Sequence, residues 1–219
     1  MNRYYFFLTL LAATNFIYGQ TNKIFCDCPK TQYTGTKPDT SFYLTNGNAI
    51  VLCGYRNPDI EPVTFSEFIL AVCGHDTIIG FREAEVICRL KTIKDSLLIE
   101  ELKYLPVGEN FAYDQAVWTI ERIYFSKNKI DRKLSINKGI HKYADSEIQS
   151  VLKEFETSEY GMNDKNMELA HKLFIATISG DKTARKYFQE FENKFGTLNG
   201  AFAEEYEELV AILSLWDSN

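Results

Sequence analysis

Ile50-Val51-Leu52-Cys53-Gly54-Tyr55 and Leu70-Ala71-Val72-Cys73-Gly74-His75 are near-echoes of one another, and both lie between Asn48 and Leu105. Each is an apolar run too short for a helix and stopped by glycine, the pattern of a buried strand. A strand ending in Cys-Gly, twice, predicts two chain reversals whose sulfurs face a common layer. The neighbouring residues continue the theme. Phe65 to Cys73 reads as one long strand, Gly74-His75-Asp76 turns it, and Thr77 to Phe81 follows. From Glu83 to Lys94 the residues alternate, with Ala84, Val86, Cys88 and Leu90 on one face and Glu85, Arg89 and Lys91 on the other. A period of two with opposed polarity marks a half-buried strand. Lys94-Asp95-Ser96 turns this strand into Leu97 to Leu105.

Upstream, Phe42-Tyr43-Leu44 is a short first strand, and Asn46-Gly47 predicts a type I′ hairpin turn into Ala49 to Tyr55. Downstream, Trp118 to Phe125 and Lys129 to Ile136 form a further pair around Ser126-Lys127-Asn128. About six to eight strands with short turns predict an antiparallel sandwich or barrel. The segment between, Pro106 to Ala116, is a long connection carrying Glu109, Phe111, Tyr113 and Asp114. Connections of that length often bind ligands, so these four residues are binding-loop candidates. The competing reading is that the two rings cap a core while the acids face water.

At Asp145 the periodicity changes from two to that of amphipathic helices. Ile148, Val151, Leu152 and Phe155 recur at helical spacing behind Asp145-Ser146, and Met167 to Ile178 does so behind Asn163-Asp164. Gly180-Asp181 breaks and recaps the chain before Ala184 to Phe195, Gly196 stops that helix, and Asn199 opens the last one. His171 falls on an apolar stripe, where a lone histidine is a core residue before it is a ligand. The fold class is therefore α+β: an N-terminal antiparallel β-sandwich or barrel followed by a C-terminal bundle of about four α-helices. The division is 1–19, a signal peptide; 20–47, an irregular cysteine-bearing lead-in; 48–143, a β domain; and 144–219, a helical domain.

Residues 1–19 have a basic start at Arg3, an apolar run from Tyr4 to Ile17, and small Gly19 before Gln20. That is the layout of a secretory signal peptide, too short to span a bilayer. Export to the periplasm or beyond the cell places five cysteines, Cys26, Cys28, Cys53, Cys73 and Cys88, where disulfides persist. An odd count leaves one over. Cys26 and Cys28, separated by Asp27 alone, are too close to bridge each other without strain, so they reach different partners, remain free or hold a metal together.

The net charge is −6, distributed unevenly. Residues 20–144 carry 16 Lys/Arg against 15 Asp/Glu, and residues 145–219 carry 7 against 15. A chain without a basic face is poorly suited to nucleic acid. Glu204-Glu205-Tyr206-Glu207-Glu208 concentrates the acid on the last helix. No G-x-S-x-G, H-E-x-x-H, Walker A, Rossmann glycine run or Cys-x-x-Cys occurs, which weighs against an enzyme and names no cofactor. The expectation is an exported, non-catalytic binding protein of inhibitor or immunity type, acting through its surface on another protein, with no transmembrane segment in the mature chain. The alternative is a thiol-redox or metal-binding protein centred on Cys26-Asp27-Cys28, and a hydrolase sited at Pro106–Ala116 rests on loop length alone.

Overall fold

The computed structural model describes residues 26–31, 37–57, 62–127, 129–159 and 163–218. The expected signal peptide, its cleavage point and the turn residue Asn128 lie outside the described residues. Eight strands come first: β1 (Thr40–Tyr43), β2 (Ala49–Asn57), β3 (Thr64–Val72), β4 (Ile78–Arg82), β5 (Ile87–Ile93), β6 (Ser96–Leu105), β7 (Asp114–Ser126) and β8 (Lys129–Ile136). Five helices follow: α1 (Asp145–Thr157), α2 (Asn163–Ile178), α3 (Lys182–Gln189), α4 (Phe191–Phe195) and α5 (Ala201–Ser218). The α+β class and the change of periodicity at Asp145 hold. All eight strands join one antiparallel sheet in the order β1-β2-β3-β5-β6-β7-β8, with β4 pairing β3 beside that path.

Three bulges bend this sheet, since an extra residue on one strand sharpens the local twist. The β2–β3 register skips Glu67, the β3–β4 register skips Ile79, and the β6–β7 register skips Trp118. The first explains half of the Cys-Gly echo. Gly54 does not reverse the chain, because β2 runs on to Asn57. It is glycine because a Cβ there would lie 2.4 Å from the Glu67 carbonyl oxygen and from Phe68, where the bulge crowds the strand. Gly74 does end a strand, with φ at +76°, which favours glycine. Similar sequence thus meets two different demands.

The expected type I′ turn at Asn46-Gly47 is corrected. Only Gly47 has a positive φ, and its N–H donates to the Leu44 carbonyl at 3.1 Å while the Leu44 N–H donates to Asn48. This is a three-residue loop with a left-handed glycine, the other common hairpin solution. β7 also begins at Asp114, earlier than the expected Trp118, which shortens the connection from β6. The long third helix is divided at Glu190 into α3 and α4. The Asp181 carboxylate accepts the Ala184 N–H at 2.7 Å, so the predicted recapping is present. At α1 the N-cap is Ala144, one residue before Asp145, and Glu147 reaches back to accept its N–H at 2.8 Å.

The two faces of the sheet are buried by different material. One face contributes Ile50, Leu52, Phe68, Leu70, Cys88, Leu97, Ile99 and Ile123 to one shared core. The opposite face of β2–β3, with Val51 and Ala71, is covered by the lead-in cysteines. The largest core joins sheet to helices: Leu105, Trp118 and Ile136 pack with Phe155, Phe174, Phe188 and Leu209. No described helix is long and apolar enough to cross a membrane. The exposed edge strand β8 carries Lys129, Asp131, Arg132 and Lys133, charges that discourage pairing with another chain.

Candidate functional site

The cysteines resolve first. Cys26 bonds Cys73, Cys28 bonds Cys53, and Cys88 is free and buried. Residues on either side of Asp27 therefore reach two different points on the sheet, and Cys53 and Cys73 share one apolar layer. With both sulfurs in disulfides, Cys26 and Cys28 offer no thiolate to a metal in this state. Cys88 lies on the opposite face, fully buried, and burial pushes its thiol up to about 12. A thiol so protonated is a poor nucleophile.

The binding-loop candidates separate into two roles. Glu109 and Asp114 are exposed, and Asp114 accepts its neighbour Gln115's N–H at 2.7 Å. The rings instead dock on the helical half. Phe111 meets Tyr143 edge-on at 5.1 Å, and the Tyr143 hydroxyl donates to the Pro106 carbonyl at 2.5 Å. The Tyr113 hydroxyl lies 3.0 Å from Nδ1 of His171, whose Nε2 is 3.1 Å from Glu205 though not aligned for a hydrogen bond. A proton on Nε2, facing that carboxylate, leaves Nδ1 to accept from Tyr113. Contact with the His171 ring holds the Glu205 carboxyl below its usual range, against the opposing effect of burial. The chain between β6 and β7 is thus latched to α2 and α5. Asn110 and Phe111 both have positive φ, a conformation that bulky residues hold only when their surroundings enforce it.

Where this latch ends, a cleft begins. It measures about 430 Å³ and lies between the 83–86 turn, the end of β6 and α5. On α5 the residues that face it are Ala201, Glu204, Glu205 and Glu208, one stripe of a helix at offsets 0, 3, 4 and 7. Glu85 and Glu101 face them, and Lys103 is the one cation of the described lining. Lys103 pairs with Glu208 and lies 5.3 Å over the Trp118 ring. Burial, followed by the charge of Glu208, raises the Glu101 carboxyl above its ordinary value, and Thr119 donates to it at 3.3 Å. Five carboxylates crowded against one ammonium form a site short of positive charge. The acidic run on α5 was visible in the sequence, and the stripe Glu204, Glu205, Glu208 was its signal. Glu85 and Glu101 were not, because only the register of β5 against β6 brings them there.

Beside the cleft, Glu121 of β7 is gripped by Arg82 of β4 at 2.5 Å and by Arg132 of β8. Arg132 also donates to the Ile79 carbonyl at 2.9 Å, so two strands not hydrogen-bonded to each other are strapped together. Burial pushes the Glu121 carboxyl up, but the hydrogen bonds and charges of Arg132 and Arg82 outweigh it and leave it lowered. A carboxyl lowered in the fold contributes stability above its unfolded pKa and loses it as pH falls through its folded pKa. Glu121→Gln is therefore expected to cost about 1–3 kcal/mol near pH 7. The gap between variant and parent in urea midpoints should close as pH falls below about 4. A gap of the same size at pH 3 and pH 7 rejects the assignment.

The chain matches no family model, no curated protein and no solved structure. Its function is read from its own residues.

Proposed function

We propose that this chain is an exported, non-catalytic binding protein of inhibitor or immunity type, and that the acidic cleft between β6 and α5 receives a basic side chain of a partner protein. In this reading residues 1–19 are a signal peptide and the bent sheet serves as a sandwich-like scaffold braced by its disulfides. Two disulfides within the described residues fit an oxidising compartment. The observation that carries the proposal is the charge imbalance of the cleft, five carboxylates to one lysine. An incoming Lys or Arg would be attracted to Glu204 and Glu205 and would offset the Glu208 charge that, after burial, raises Glu101.

The test is selection from a displayed peptide library followed by titration of the enriched peptide. Basic peptides should emerge and bind one to one, weakening as salt rises from low concentration to about 0.3 M because exposed charges are screened over ~10 Å at 0.1 M. Glu204→Lys with Glu208→Lys should reduce affinity at least about tenfold, while the exposed Glu109→Lys should not. Enrichment of peptides without Lys or Arg, or binding that both salt and charge reversal leave unchanged, rejects the proposal.

A further inference from the structure

The geometry points to a second, separate binding site: the split between β3 and β5 takes a small organic anion, a carboxylate carried on an aromatic or branched apolar body. β3 and β5 share a single bridge, Phe65 with Cys88. Antiparallel continuation from that bridge would set Thr64 against Arg89 and Val63 against Leu90. The strands instead diverge, and the space between them is a pocket of about 590 Å³ bordered by Pro62 and Val63 on one side and by Arg89, Leu90 and Lys91 on the other. This volume is ordinary for a small-molecule site.

Its walls are chemically divided. Phe42 from β1 and Phe65 supply two rings, and Val63 and Leu90 add aliphatic surface. Charge enters from Arg56, Arg89 and Lys91 against one carboxylate, Glu100. Lys91 pairs with Glu100, and Arg89 Nε lies 3.5 Å from the same carboxylate. That distance is too long for a well-formed bond, and the buried Nε has no hydrogen-bond partner among the described residues. Arg56 stands on the facing wall, exposed, and makes no ion pair among the described residues. The pocket thus holds an excess of two positive charges, with two guanidinium groups not fully engaged beside an apolar surface. Guanidinium groups match carboxylates in shape as well as charge. A ligand with one acidic end and an apolar body satisfies both halves. A bare anion would leave the rings unused, and a neutral apolar molecule would leave the arginines unpaired.

The experiment uses phenylacetate as probe, its neutral counterpart phenylacetamide, and inorganic phosphate as competitor, read by chemical-shift titration of the full chain. Phenylacetate should bind saturably with shifts at Phe42, Phe65 and Leu90, phenylacetamide at least about tenfold more weakly, and phosphate should not displace it. Arg56→Gln, a change at an exposed side chain, should weaken phenylacetate about tenfold, as expected for a charge-assisted hydrogen bond. Lys103→Gln, in the acidic cleft, should leave it unchanged, since the described linings of the two sites share no residue. Absence of saturable binding, equal binding of acid and amide, displacement by phosphate, or an Arg56→Gln variant with parental affinity overturns the inference. None of these outcomes bears on the acidic cleft.

Discussion

Trp118→Ala is expected to destabilise the fold by about 3–5 kcal/mol, as truncation of a large buried aromatic does, while Trp118→Phe costs less than half as much. The reason lies in the bulge. Glu101 pairs with Thr119 and Leu102 with Val117, which leaves Trp118 as the extra residue on β7. Bulges re-aim side chains, and here the indole lies fully buried against the helices, with its ring 5.3 Å from Phe174 of α2. It joins the sheet end of the largest core to its helical end. Alanine would open a cavity that the rigid sheet cannot collapse into. Phenylalanine would keep most of the apolar surface and remove a group that contributes little, because the indole N–H is buried without a hydrogen-bond partner among the described residues. An unpaired buried donor carries a desolvation cost, and deleting it offsets part of the lost volume. Urea unfolding of both variants decides the matter. A Trp118→Phe penalty equal to that of alanine would mean that the N–H is engaged and that this account of the seam is wrong.

The position of Trp118 also marks the boundary between what could be read from the sequence and what could not. Strand after strand was legible because periodicity is local: the alternation within Ile87–Ile93 and the helical spacing from Ile148 to Phe155 need no tertiary knowledge, although Glu83 to Val86, expected in the same strand, form the turn before β5. The Cys26/Cys28 constraint was legible from chain geometry, while their partners were not, since several connectivities satisfy it. Bulges were invisible. A single skipped residue at Glu67, Ile79 or Trp118 changes which side chains share a face, and nothing in the local pattern announces it. The turn at Asn46-Gly47 was misjudged for a related reason, because a two-residue and a three-residue loop ask for the same glycine. The acidic cleft was half legible: its α5 stripe has helical spacing, but Glu85 and Glu101 depend on strand register. Phe111 and Tyr113 stand out in the sequence as loop aromatics, and the structure sets Phe111 against Tyr143 and the partly exposed Tyr113 against His171. The split that bears Arg56 and Arg89 had no local signal at all, since it arises from two strands failing to pair.

Replacing the disulfides should produce the other large effect, with a distinctive lack of additivity. The bridges close loops of 25 and 47 residues, for which chain entropy alone predicts about 3.5 and about 4 kcal/mol at 25 °C. The shorter loop, Cys28 to Cys53, is nested inside the longer, Cys26 to Cys73. Once either is closed, the chain left to confine by the other is reduced, so the unfolded state loses less freedom the second time. Cys26→Ala with Cys73→Ala, or Cys28→Ala with Cys53→Ala, should each cost about 2–4 kcal/mol. Each pair removed alone leaves the other bridge confining much of the same chain, so removing both should cost more than the sum of the two pairs. Packing acts in the same direction. With one bridge intact the lead-in still covers Val51 and Ala71, whereas with neither that apolar face has lost its tether. Comparison of single-bridge and double-bridge variants by urea unfolding checks this: a total above the sum is expected, and a total at or below the sum rejects the account. Cys88 supplies the internal control. It lies on the opposite face of the sheet from both bridges, buried, and that burial pushes its thiol up to about 12. Native protein at pH 8 should therefore resist alkylation completely, and denatured, unreduced protein should take up one label. Rapid native labelling of Cys88, or bridges exchanged with it, would mean that the sheet opens readily, and the thiol-centred reading of this chain would then displace the scaffold reading.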